Sequence, residues 1–486
     1  MCYFKDFRRY VIILLVLVVV FSLYGIVFST SLEPEAQKML DAFHENSAVS
    51  EFYDQVKAAY DGTTINAIGW TGPQSEGLRN FLPVFTELTG IEVNYETFQF
   101  DLVVEKVKMD AVAKAGNYDL EEIPYQDLGW FVENGYLLPF KDFMENDKLR
   151  SPILNEDDII WASWNASSWY DGVCYGHPSV TCTMYLWYRK DLFEDPTEKT
   201  NFYVKYGYEL APPKTWKQFR EIGEFFTREQ GETLAGKVLQ RKVYGTAIQG
   251  GRNDALTCEW LQYTWSFGGG IFEGGITKKE NLIVNSPENV AALDFYKSLL
   301  EFSPPGTLEY SYEGPTTAFQ QELVVGLCVE WNDQAFGLED PKNSAVVGKM
   351  GYGPVPMEVD LTTQGLSGVS HYGGWTQSIS NNSKNPEAAY LFSQWIISPI
   401  VQTILAQKKA IAPVRNSTYS VPEVANFPPL AATGPAMADT HYRPRIPEWA
   451  EMEEEMRVAL SRCLIGELSS QEALDWLYSR YMEILK

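Results

Sequence analysis

The chain has 486 residues, too many for one ordinary hydrophobic core, and its length suggests about two to four domains of about 100–200 residues each. Hydrophobic residues make up 45% and charged residues 21%, the balance of a soluble globular chain. A formal net charge of −25 repels phosphate backbones and argues against a nucleic-acid partner.

At the N-terminus, Lys5, Arg8 and Arg9 precede an apolar run from Tyr10 to Phe28, and Ser29, Thr30 and Ser31 follow. Basic, apolar and small-residue stretches in this order make a secretory signal. At about 19 residues the run is also long enough to span a bilayer, so an uncleaved anchor is the alternative. Either reading places the rest of the chain outside the cytoplasm. Cys2 precedes the basic residues and no Cys ends the run, which argues against a lipid-modified start. Past the signal come Cys174, Cys182, Cys258, Cys328 and Cys463, an odd set that leaves at least one thiol unpaired. Cys174 and Cys182 form at best one bridge; buried free thiols are the other reading.

Residues 32–60 carry a helical apolar stripe through Met39, Leu40, Phe43, Phe52 and Val56, broken at Asp61-Gly62. Residues 64–68 read as a strand and 70–73 as a loop. The spacing of Leu78, Phe81, Leu82, Phe85 and Leu88 predicts a helix from about Ser75, capped by Gly90. A strand at 91–95 and a helix at 101–115 follow. Strand and helix alternating at this spacing make βαβ units and a mostly parallel sheet. In such sheets ligands sit beyond the carboxyl ends of the strands. The alternation returns with extended 176–188, helical 213–230 and extended 243–248, then helical stretches at 287–301, 385–405 and 447–485. No repeat, low-complexity tract or long linker interrupts it, which suits two α/β lobes packed side by side.

Enzyme and cofactor signatures are missing from the sequence. His44, His177, His371 and His441 are scattered, with no zinc-type His-Glu-x-x-His. Gly365-Leu366-Ser367-Gly368 lacks the spacing of a nucleophile elbow, and there is no phosphate-cradling lysine loop. Hence no catalytic residue, metal ligand or cofactor is assigned. A glycoside hydrolase needs only a pair of carboxylates, so residue types alone leave a secreted glycosidase open.

The order of short segments resembles the extracellular solute-binding proteins of the sugar type, those similar to maltose- and trehalose-binding proteins. The segments are 85–93, Tyr118-Asp119-Leu120, 135–139, 172–176, 188–193, Pro213-Lys214-Thr215-Trp216, Phe267-Gly268-Gly269, 348–351, Gly373-Gly374-Trp375 and Arg443-Pro444-Arg445-Ile446-Pro447. Singly each is weak; in order they cover most of the chain from about Ile65. The resemblance implies a two-lobed α/β periplasmic-binding fold of type II kind, with discontinuous lobes joined by a hinge. It implies a first lobe of 31–180 plus 371–415 and a second of 184–368 plus 420–486, after a signal or anchor at 1–30. Crossings then fall near Thr181–Thr183, Val369–Gly373 and Arg415–Tyr419. Ligand enters the cleft, the hinge closes, and the closed monomer docks on the permease of an ABC importer.

A sugar offers hydroxyl edges and apolar faces, so its site needs polar groups beside aromatic plates. The resemblance carries Trp331 and Trp375 to the plates, with Gly374 allowing close backbone approach. It carries Glu76 to a hydroxyl-binding acid, an acid complementing the first helix N-terminus being the alternative. Arg443 becomes a guanidinium on the ligand or an inter-lobe salt bridge. Asn253 and Asp254 bind ligand or cap their helix. Tyr125 and Gln126 follow a strand and are expected to face the cleft. Pro124 and Cys182 stand where relatives carry acids, which puts the sugar's identity in question.

Overall fold

The computed structural model describes residues 32–358 and 368–485; the basic and apolar segment read as an export signal lies outside them. The 32–60 stripe forms the helices Pro34–His44 and Ser47–Tyr60. The break falls at Asn46, whose side chain accepts from the amides of Ala48 and Val49 and so starts a new helix. Gly90 caps the helix Leu82–Thr89 at φ 69°, as expected.

The first sheet has five strands in the order Glu92–Phe98, Thr64–Trp70, Leu120–Pro124, Trp375–Ile379, His177–Pro178. The first three run parallel, and Trp375–Ile379 enters antiparallel to both neighbours. The second sheet holds Leu327–Trp331, Met184–Arg189 and Met350–Gly353, all antiparallel. A mostly parallel sheet is therefore right only for the βαβ start of the chain. The remaining strands pair with partners far away in sequence, and side-chain periodicity says nothing about their direction. The stretch 243–248 forms no full strand. Tyr244 and Gly245 exchange backbone bonds with Leu323, Val325 and Leu327, beside a close approach of Gly245 to Gly223 and Gly326.

Each sheet has its own core. One gathers Phe43, Ile65, Phe85, Ile379, Phe392 and Trp395 around the first sheet. The other gathers Met184, Trp216, Trp260, Leu327, Trp449 and Leu474 around the second. The segment after 420 serves both sides. Val424, Phe427 and Leu430 join the first core, while Ala432 and Ala436 pack behind the second sheet.

The strands meet at the hinge. Thr183 pairs antiparallel with Tyr372, and the Gly373 amide donates to the Cys182 carbonyl. Asn332 accepts from the Thr183 amide at 3.0 Å and donates to the Thr181 carbonyl at 2.9 Å. Ser370–His371 pairs with Thr440–His441. Cys174, Cys182, Cys258, Cys328 and Cys463 are all free thiols, so Cys174 and Cys182 do not bridge.

Candidate functional site

Every residue of Leu327–Trp331 is buried, and the strand delivers Trp331 to the hinge at its last position. The Trp331 ring lies 5.2 Å from the His371 ring and 6.4 Å from that of Tyr312. Gly373 lies against the ring; a Cβ there would come within 2.4 Å of it. Among the described residues the buried indole Nε1 of Trp331 has no hydrogen-bond partner, and the same holds for Thr183 Oγ1 and Gln126 Oε1. Other buried side chains share this, among them the core indoles of Trp187, Trp260, Trp395 and Trp449, so an unpaired N–H does not by itself mark a site.

Tyr125 follows the first sheet's strand Leu120–Pro124 and is fully buried. Its phenol oxygen accepts from the backbone N–H of Arg443 at 2.9 Å and from Arg443 Nε at 3.0 Å. It lies 3.3 Å from His371 Nε2. His371 Nδ1 is 2.8 Å from the Cys258 carbonyl, which can only accept, so Nδ1 carries the proton. Burial and the nearby Arg443 charge push the His371 pKa down to about 3, so the ring is neutral. Nε2 is then an acceptor and the phenol donates its proton there. The Tyr125 oxygen is saturated: it bolts the first lobe to the second and leaves nothing for a ligand.

Arg443 is the centre of a buried charge cluster. Its Nη1 lies 2.6 Å from Asp254 Oδ1 and 2.7 Å from Glu453 Oε1. Arg457 reaches Glu453 at 3.3 Å from the same helix, Trp449–Leu464. Asn253 caps the helix Asp254–Ser266, accepting from the Ala255 amide, and so sets Asp254 in its first turn. Burial opposes ionisation of Asp254, yet the guanidiniums of Arg443 and Arg457 hold its carboxyl below the usual range. Burial and the Asp254 charge push Glu453 the other way. All these ion pairs lie on the second lobe's side, and the contact of Arg443 across the lobes is to Tyr125. Tyr312 donates to Asp254 and ties the cluster to the Trp331 side.

Trp375 opens its strand opposite Pro124 and belongs to the first lobe, packed with Ile68, Val103 and Ile123. Its ring stacks on Trp70 at 6.3 Å and 10°, with Phe100 edge-on at 5.1 Å. At Gly374 the close approach comes from within the protein. A Cβ there would lie 2.0 Å from the Tyr372 hydroxyl and 3.0 Å from the Val180 carbonyl. Glu76 is exposed on the short helix Pro73–Arg79, and its carboxylate makes no hydrogen bond or ion pair among the described residues.

The structure thus brings together Tyr125, Arg443, Asp254 and, through His371 and Tyr312, Trp331. Gly374 joins them through its carbonyl, which accepts from the Tyr125 amide. Trp375 and Glu76 stand apart from this group. Sequence reasoning missed His371, Trp70 and Tyr312. His371 was set aside for want of a metal or catalytic pattern. Trp70 ends a strand, where ligands of such sheets sit, and that position was the available signal. A cavity of about 830 Å³ lies elsewhere. Arg443 lines it, while Trp331, Trp375, Tyr125 and Glu76 do not.

Two α/β lobes joined by strands that cross a common hinge define the periplasmic-binding-protein class of fold. Residues 69–403 match the family model described as bacterial extracellular solute-binding protein, and the chain belongs to that family. A solute-binding protein from Agrobacterium radiobacter K84, solved in complex with ribitol, superposes with a TM-score of 0.74 at 26% identity, covering 87% of this chain and 99% of that one. Maltose-bound MalE3 of T. maritima gives 0.71 at 22% identity, with 87% and 100% covered, a likeness of fold. A probable amino-acid ABC transporter periplasmic-binding protein of Sinorhizobium fredii is 24% identical over 397 residues, 80% of each chain. The family is one of transporter binding proteins and not of enzymes, which removes the glycosidase reading.

Proposed function

We propose that this protein is the exported subunit of an ABC importer that captures a sugar or polyol between its lobes at the Trp331 face and hands it to the permease. The observations that carry the reading are the match of residues 69–403 to the extracellular solute-binding family and the delivery of Trp331 to the hinge by its strand. Three buried polar atoms without a partner among the described residues, Trp331 Nε1, Thr183 Oγ1 and Gln126 Oε1, are available to a ligand. One is a donor, one an acceptor and one both, which is what a ligand hydroxyl pairs with. The Trp331 indole adds an aromatic plate for a C–H face. Trp375, stacked on Trp70, supplies a second plate from the first lobe, and the exposed Glu76 carboxylate is free to take a hydroxyl. Gly374 and Tyr125 shape the hinge, while Arg443 and Asp254 hold the second lobe's wall.

Relatives support the solute class: the Agrobacterium protein is solved with ribitol, and another from Agrobacterium vitis S4 with D-mannitol. Pro124 and Cys182 leave two positions without a carboxylate, so the preferred solute differs from maltose and trehalose. The segment 1–30 directs export, and the protein works as a monomer. The lobes divide near residues 181–183 and 369–373 and at a third crossing that, expected near Arg415–Tyr419, is drawn on to about 436 because Val424, Phe427 and Leu430 join the first core. A thermal-shift panel of polyols, mono- and oligosaccharides and amino acids tests the reading. A ligand at 100 times its dissociation constant adds about 2.7 kcal/mol of stability. Stabilisation by polyols or sugars without product formation is expected. Stabilisation by amino acids alone, the class named for the Sinorhizobium relative, overturns the sugar assignment.

A further inference from the structure

We infer that the groove at residues 440–446 is a second binding site for a neutral polyhydroxylated ligand, separate from the Trp331 face. Its volume of about 830 Å³ is that of a ligand site rather than a packing defect, since such sites run from about 300 to 1,000 Å³. It is built from four pieces of chain, one of them the segment that carries Ile283 and Glu288. The glycine-rich loop 268–275 follows the helix Asp254–Ser266, the segment 440–446 leads to the helix Trp449–Leu464, and Tyr170 and Asp171 come from a hairpin against the first lobe. That hairpin turns through Asp171 at φ 47° and Gly172 at φ 78°, both left-handed, as a tight two-residue turn needs. The turn fixes Asp171 at the groove's edge, exposed.

The lining chemistry selects the ligand. Tyr442 is 38% exposed, with the Arg445 guanidinium 5.0 Å from its ring. Arg445 is itself pinned by the carbonyls of Asn165, Ala166 and Trp169, so the plate is held firmly. Trp265 offers a second ring. Around these plates stand the carboxylates of Asp171, Glu273 and Glu288, all exposed and with no cation partner among the described residues. The guanidiniums of Arg443 and Arg445 are already engaged by carboxylates and carbonyls. An anionic ligand would meet three acids against one guanidinium without a carboxylate partner among the described residues, that of Arg445, whose Nη1 is already taken by three carbonyls. A sugar or polyol would set its apolar face on an aromatic ring and donate hydroxyls to the carboxylates.

Trp265 lines the groove and Trp331 does not, although both rings touch His371, at 4.9 and 5.2 Å. The two sites therefore sit on either flank of one histidine and remove separately. The inference rests on the two-lobed solute-binding reading, and its test distinguishes the two. Ribitol, maltose and maltotriose are titrated calorimetrically into the parent protein and into Trp331→Ala, Tyr442→Ala and Asp171→Asn. With at least one probe the parent resolves two sites. Tyr442→Ala and Asp171→Asn each weaken one of them at least about tenfold and leave the other unchanged. A single site with every probe overturns the groove, as does a second site that survives both groove variants. If Trp331→Ala leaves both sites intact, the Trp331 reading fails while the groove stands.

Discussion

Replacing Tyr125 by Phe removes one oxygen and keeps the ring, and the structure says what that oxygen holds. Two N–H groups of Arg443 lose their acceptor, at 2.9 and 3.0 Å, and His371 Nε2 loses its donor at 3.3 Å. Tyr125, His371 and Arg443 are all at least 97% buried, so water replaces the oxygen poorly. Leaving a buried donor unsatisfied costs about 1–3 kcal/mol, and two such donors, less the relief of burying one hydroxyl fewer, come to about 3 kcal/mol. For a large domain 1 kcal/mol shifts the melting temperature by about 2 °C, so Tyr125→Phe melts about 6 °C lower. The unliganded variant also scatters X-rays as a looser molecule, because the lost bonds join the lobes. A variant that melts within about 1 °C of the parent, with unchanged scattering, would refute the bolt.

Stability should fall on the alkaline side because of two buried acids beneath Trp331. Burial pushes Glu259 from 4.5 up to about 8, and burial with the Glu259 charge raises Glu330; Gln249 bridges the pair. The folded state therefore holds protons that the unfolded state releases, and this contribution is full below about pH 4.5 and lost as pH rises through about 8. Above about pH 7, where the buried neutral His177 and His371 no longer contribute a slope, melting temperature declines to about pH 8.5, and Glu259→Gln flattens the decline; an equally steep slope in the variant counts against it. Trp331→Ala and Trp375→Ala, each losing an aromatic plate, weaken sugar or polyol binding by about 2 kcal/mol, read by calorimetry; normal binding by both makes them core residues only. Gly374→Ala places a methyl against the Tyr372 hydroxyl, which Ser163 fixes at 3.0 Å, and costs about 1–3 kcal/mol in melting experiments; a neutral effect would mean that ring can move.

The βαβ opening was legible because Ile65, Leu78, Phe85 and Leu88 alternate or repeat at the spacing of their elements. Gly90 was legible because a helix end needs a left-handed residue. The antiparallel second sheet was not, since Met184–Arg189 is buried on both faces and carries no mark of its partners. The site was half legible. Trp331 and Arg443 follow from motif order, but what Arg443 does depends on Asp254, 189 residues away and brought near only by the packing of two helices, beside Glu453 ten residues on. His371 had no sequence signal: its place between Trp331, Trp265 and Tyr125 exists only once the hinge strands pair. Tyr125 was expected to meet a ligand, and three hydrogen-bonding partners within the protein take its hydroxyl instead.

Small-angle X-ray scattering, with and without a saturating polyol or sugar found by the thermal-shift panel, tests solute capture between the lobes most directly. A solute held by both lobes favours the closed arrangement by the contacts it adds. The radius of gyration is predicted to fall on binding in the parent and to stay at the unliganded value in Trp331→Ala at the same ligand concentration. A radius unchanged at saturation in the parent protein would contradict the account.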